Sequence, residues 1–342
     1  MSSLLPVYAQ GGGGPPGGGG RPAGGGGGFG GGPPLYTPEP GAKDMKAVLY
    51  SWLWHMGQLR GQAENELIGS LDWHGEGTIQ VNGQPCTTTK LRVQINYQTP
   101  GYRTQIECRR ANGQTYSNVE TMSGAYAWDE DRPGAELVAG EGKATPKPAA
   151  LEERRIRLWA SPQGAPKAAL AAAGGVSLGD AFGQNPAALL GRQGAPKAAH
   201  APGAGVSLAD AFVQNPAALL DRQAAAGVKG TATLTWQGDK PVLTFPIPDV
   251  AGATATATLT PDFLAESVVV KQGNNTYEWR YGDYKDFNNP LHPAEALYAG
   301  TIVERKNGTV VRDIKSTLTE TGQVYVQVAV PASVRSAGGR RN

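Results

Sequence analysis

The spacing of apolar positions changes twice along the chain. Between 44 and 68, Met45, Val48, Leu49, Trp52, Met56 and Leu59 recur every three or four residues, which predicts an amphipathic helix opening at Asp44. Gly57 and Gly61 weaken its far end. From residue 72 the period becomes two. Leu91, Val93, Ile95 and Tyr97 alternate with Arg92, Gln94 and Asn96. Tyr102, Thr104, Ile106 and Cys108 alternate with Arg103, Gln105, Glu107 and Arg109. Turns fall at Asn82-Gly83, Thr99-Pro100-Gly101 and Asn112-Gly113, and further strands at 115–121 and 124–128. The pattern is an antiparallel meander with one buried and one wet face. Residues 150–160 then read as a short helix with Leu151, Ile156, Leu158 and Trp159 turned inward.

The second half, 229–331, returns to period two. Ala232, Leu234 and Trp236, then Leu243, Phe245 and Ile247, then Ala253–Leu259, Ser267–Lys271 and Tyr277, Trp279 and Tyr281 mark successive strands. Strands at 300–306 and 309–318 flank a Lys306-Asn307-Gly308 turn, and Val324, Val326, Val328 and Val330 read as a last strand closed by Pro331.

The halves are separated by a tandem repeat. Residues 163–192 and 193–222 are thirty-residue copies that agree at twenty-three positions. Two units are too few for a solenoid. Each copy has one apolar helical segment, at 176–190 and 206–220, and the region 161–228 reads as an Ala/Pro-rich helical insertion. At the start, residues 11–32 hold sixteen glycines in twenty-two positions, so 10–35 is expected to be a disordered tether. Val7-Tyr8-Ala9 before Gln10 has the small-residue spacing of a signal-peptidase site. Residues 1–9 are therefore read as the remnant of an export signal, the alternative being a plain disordered terminus. The domain so defined comprises 36–160 and 229–331, followed by a basic tail, 332–342.

Composition narrows the function. Thirty-one Lys and Arg against 29 Asp and Glu give a formal charge of +2, which removes the electrostatic case for nucleic-acid binding. No apolar run reaches the eighteen residues of a membrane-spanning helix. Two cysteines exclude a zinc ribbon or a disulfide-dense scaffold, and four histidines leave little for a metal site. Cys86, placed in the loop after the first strand, and Cys108, near the end of the third, fall at one end of the meander. A disulfide there closes a loop of about twenty residues, worth ~3 kcal/mol. Export favours the bonded form, and two free thiols are the alternative.

Catalytic signals are weak. Gly175-Val-Ser177-Leu-Gly179 spells G-x-S-x-G but lies in an Ala-rich stretch rather than on a strand-to-helix turn. Asp129, Glu130 and Asp131 lack the spacing of a calcium loop, and nothing near Asp283 and Asp286 would separate their pKa values. No catalytic residue, metal site or cofactor is expected, and an enzyme ranks third among the functional classes.

The order of elements, with Pro100-Gly101-Tyr102-Arg103, Ser123–Trp128, Tyr281–Phe287 and Val324–Pro331, resembles the periplasmic lipoprotein-carrier superfamily over 44–160 and 229–331. The resemblance implies a curved, unclosed β half-barrel whose concave face is covered by helices, with a hydrophobic cavity between them. It also implies binding of acyl chains or other apolar ligands, without catalysis. The repeats stand where that family has a short connection.

The fold expected is mainly β (α+β): a curved antiparallel sheet of about eleven strands under a few helices, exported to the periplasm or beyond. An apolar small molecule or lipid would lie between Val48, Trp52 and Met56 of the helix and Val93, Ile95, Ile106, Trp128, Trp236, Phe245 and Trp279 of the sheet. The rival is a structural or surface-interaction protein with a filled core, its Gly-rich tether and repeats contacting a protein partner.

Overall fold

The computed structural model describes residues 43–56, 69–97, 99–174, 230–286, 297–321 and 326–338. The leader remnant, the Gly-rich tether, the repeat segments 176–190 and 206–220, Leu59 and Val324 lie outside these residues. Helix α1 (Met45–His55) begins where expected. Asp44 caps it by accepting the Ala47 amide at 2.9 Å.

A first meander follows: β1 (Ser70–Val81), β2 (Gln84–Asn96), β3 (Gly101–Arg109), β4 (Thr115–Ser123), β5 (Tyr126–Glu130) and β6 (Ala144–Pro146). Helices α2 (Leu151–Ala160) and α3 (Gly164–Gly174) come next. The second meander is β7 (Thr233–Gln237), β8 (Lys240–Pro246), β9 (Thr254–Leu259), β10 (Ala265–Gln272) and β11 (Asn275–Gly282). The short pair β12 (Lys285–Asp286) and β13 (Leu297–Tyr298) interrupts it before β14 (Thr301–Lys306) and β15 (Thr309–Thr321). Helix α4 (Ala332–Gly338) is last.

One antiparallel sheet of thirteen strands results, in the order β6-β5-β4-β3-β2-β1-β15-β14-β11-β10-β9-β8-β7. The two meanders meet where β1 pairs with β15, and β6 and β7 are the open edges. The count exceeds the eleven or so expected.

The sheet bends strongly. Three strands separate β4 from β15, a span of about 19 Å in a flat sheet. Yet Arg312 Nη2 of β15 lies 3.0 Å from Glu120 Oε2 of β4. Two side chains of that length meet only if the intervening strands curl. Part of the bend sits at Gly75-Glu76-Gly77, where the pairing of β1 with both neighbours shifts register. Gly77 has φ +152°, and a Cβ there would lie 2.0 Å from the Asp313 carbonyl oxygen, so only glycine fits.

The inner face carries one continuous apolar core shared by α1, α2, α3 and both meanders. Helix α3 falls within the first repeat copy. The insertion read as starting at 161 thus opens with a helix whose Ala165, Ala168, Ala169 and Leu170 are fully buried. Pro162 ends α2, and Ser161 caps α3 by accepting the Gly164 amide at 3.1 Å.

Two local expectations are corrected. Cys86 lies on β2, not in a loop, because the two-residue Asn82-Gly83 turn lets β2 start at Gln84. It forms a disulfide with Cys108 on the neighbouring strand, with Cα atoms 5.6 Å apart. The valine alternation at 326–330 is not a strand. It runs as an extended strap over the outer face, its Val326 carbonyl accepting from Asn96 Nδ2 at 2.8 Å. The strap leads into α4, where a plain basic tail was expected.

Candidate functional site

Between α2 and the bent sheet lies a chamber of about 40 Å³. Val93, Ile95 and Tyr102 line it from the first meander, together with Trp73 of β1. Trp279, Tyr281, Tyr298, Ile302 and Ile314 line it from the second. It is therefore built across the β1–β15 junction, where the two halves of the chain meet. Alternation places these side chains: Val93 and Ile95 share one face of β2, and Trp279 and Tyr281 share one face of β11.

One wall of the chamber is ionic. Arg157 of α2 reaches Glu304 of β14 through Nη2 at 2.8 Å and through Nε at 3.2 Å to both oxygens. Arg312 contacts Glu120 at 3.0 Å and Glu304 at 3.6 Å, and Arg157 lies 3.7 Å from Glu120. The four groups close a ring of alternating charge that ties α2 to β4, β14 and β15. Burial alone would raise the Glu304 carboxyl, but Arg157 and Arg312 outweigh it and hold it below the ordinary carboxylate range. Glu120 is held low in the same way by Arg312 and Arg157. At the rim, Lys306 donates to Glu153 at 2.6 Å.

The chamber also sits among buried phenols. Tyr281 donates to the Ala160 carbonyl at 2.5 Å, and Tyr97 shares a 2.9 Å hydrogen bond with Ser161 Oγ. Burial pushes the hydroxyls of Tyr97, Tyr281 and Tyr298 upward, so they act as hydrogen-bonding groups rather than acids. Lys167 of α3 stands over the Tyr97 ring at 5.6 Å, and burial lowers its amine to about 8.

Of the residues singled out from sequence, Val93, Ile95 and Trp279 line the chamber. Val48, Trp52, Met56, Ile106 and Phe245 are buried in the surrounding core without facing it. Trp236 is half-buried on edge strand β7, donating to the Lys43 carbonyl at 3.3 Å. Trp128 is a correction. It alternates with inward-facing Ala127 and so points to the outer face, where it packs against Val334 and Ala144. There it donates to Glu130 at 2.8 Å, and Glu130 meets Arg103 at 3.3 Å.

Of the aromatic lining only Trp279 was singled out, while Trp73, Tyr102, Tyr281 and Tyr298 were not. Trp73 precedes the β1 irregularity, and Tyr298 belongs to the small β12–β13 pair, so neither stands in a readable alternation. Tyr281 was readable as the next inward position after Trp279. Arg157, at the end of Glu-Glu-Arg-Arg-Ile-Arg, carries no sequence signal that separates it from Arg154 and Arg155.

Such an arrangement can hold an apolar group against aromatic walls, with a neutral ionic ring at one end. Among the described residues no cluster of three metal-ligating side chains occurs, and no helix is long and apolar enough to cross a membrane. The chain matches no protein-family model and no curated sequence.

Proposed function

We propose that the protein is an exported, non-enzymatic binder of an apolar ligand, a lipid or acyl chain, held between the helix layer and the inner face of a half-barrel. The observation that carries this reading is the chamber itself, a mainly apolar and aromatic space lined from both meanders and roofed by α2. The resemblance to the periplasmic lipoprotein-carrier superfamily points the same way, as do the unclosed sheet and the disulfide. At about 40 Å³ the chamber is far below the ~300 Å³ of ordinary ligand pockets, so this reading requires it to widen before a ligand enters. Opening requires the helices to move. Helix α2, which roofs the chamber through Arg157 and leads into Ser161 and Pro162 of the lining, is the element that would have to move. Burying ~300 Å² of apolar ligand would contribute about 7 kcal/mol before association costs.

The same small volume favours a second reading, a structural protein whose core is simply filled. Native mass spectrometry of protein purified from its own host separates the two. The binder reading expects a subpopulation carrying the mass of one lipid. A single ligand-free mass, with no displacement of a fluorescent acyl probe, leaves the structural reading.

A further inference from the structure

A larger cavity lies elsewhere. At the β6 edge of the sheet, a cleft of about 290 Å³ is walled by Tyr126, Pro146, Pro148, Leu151, Val334 and Ala337. It is bounded by β5, β6, the turn Pro148–Ala150, the start of α2 and helix α4. It shares no lining residue with the inner chamber and has about seven times its volume. Val334 is the one buried side chain described on α4, so the helix stands over the edge without filling the space beneath it.

We propose that this cleft is a second binding site, for an uncharged aromatic or similarly compact apolar small molecule. Its chemistry argues for that class. Among the described residues no charged side chain lines it. Pro146 and Pro148 bring no N–H donors, so the edge strand offers flat ring carbons in place of hydrogen bonds. Tyr126 adds an aromatic wall beside them. Recognition there is by shape and apolar area, and a dry cavity of about 150 Å³ already accepts a benzene ring. A ligand in the cleft would touch Val334 and Ala337 and hold α4 to the sheet, giving a seven-residue helix the packing it cannot supply alone.

Toluene titrated into the full-length, methyl-labelled protein tests this by NMR. Saturable shifts are expected at the Val334 and Leu151 methyls, with Ile302 and Ile314 of the inner chamber unmoved. Ala337→Phe, at an exposed position that leaves folding intact, should fill the cleft and weaken binding at least tenfold. Absence of saturation at Val334 and Leu151, shifts centred on Ile302 and Ile314, or undiminished binding in Ala337→Phe would each overturn the assignment. Shifts centred on Ile302 and Ile314 would move apolar binding to the inner chamber, whereas the other outcomes leave acyl binding there untouched.

Discussion

The two faces of the sheet bury charge in different ways. On the inner face, Arg157, Glu304, Arg312 and Glu120 form a closed ring in which each carboxylate meets two guanidinium groups. On the outer face, Arg103 meets Glu130 through one 3.3 Å contact, and its Nε has no hydrogen-bond partner among the described residues. Glu130 is satisfied largely by neutral donors, Trp128 Nε1 at 2.8 Å and the Gly134 amide at 2.7 Å. Desolvating a charge is tolerated when its partners are several and fixed. The ring spans a helix and three strands, whereas the outer pair joins only β3 to β5. The inner ring should therefore be the more sensitive of the two to loss of one member.

The largest expected effect follows directly. Glu304→Leu leaves Arg157 and Arg312 buried and facing each other, and should cost about 3–5 kcal/mol in urea unfolding. Adding Arg157→Met should recover much of the loss, because the uncompensated charge goes with it. If Glu304→Leu costs no more than an outer-face change, the contrast between the faces fails.

Alkaline pH sharpens the inner side. Lys167 is lowered by burial from 10.5 to about 8, so above that value the folded chain holds fewer protons than the unfolded chain. Stability should then rise between pH 8 and pH 10, by about 2 kcal/mol. Above pH 10 the sign reverses. Burial holds Tyr97, Tyr281, Tyr284 and Tyr298 above their ordinary value of 10.0, so the unfolded chain releases phenolic protons first. Lys167→Met should abolish the rise and keep the fall, as read from unfolding midpoints across the series.

The outer side should respond least. Trp128 and Gly134 donate to different oxygens of Glu130, so Glu130→Gln keeps an acceptor for only one of them and removes the charge opposite Arg103. A loss of about 2 kcal/mol is expected. A loss matching that of Glu304→Leu would mean that a single buried pair matters as much as the ring.

Both meanders, the first helix and the helix at 151–160 were legible because period two and period 3.6 dominate those stretches. The face of Trp128 was not. It was expected on the inner face, but its neighbour Ala127 takes the inner position, and the strap that covers Trp128 comes from two hundred residues away. Within the region read as a helical insertion, α3 was not the segment singled out, because alanines carry little apolar signal, although their helix propensity is the highest of any residue. The strap shows the opposite failure. Its valines alternate as a strand would, yet they serve to cover the outer face at Gly101 and Trp128. The ionic ring was invisible because only Glu304 and Arg312, partners across one hairpin, are near in sequence, while Glu120 and Arg157 join them only once the sheet bends and α2 packs on it.

The central claim is that the inner chamber opens to take an apolar chain. Titration of a fluorescent polyene fatty acid into the wild type, Ile302→Trp and Val93→Phe tests it most directly, each variant first shown to be folded by its thermal transition. The account predicts saturable binding of one equivalent to the wild type, weakened at least tenfold when either side chain lining the chamber is enlarged. Absence of saturable binding to the wild type, or equal affinity in both folded variants, would contradict it.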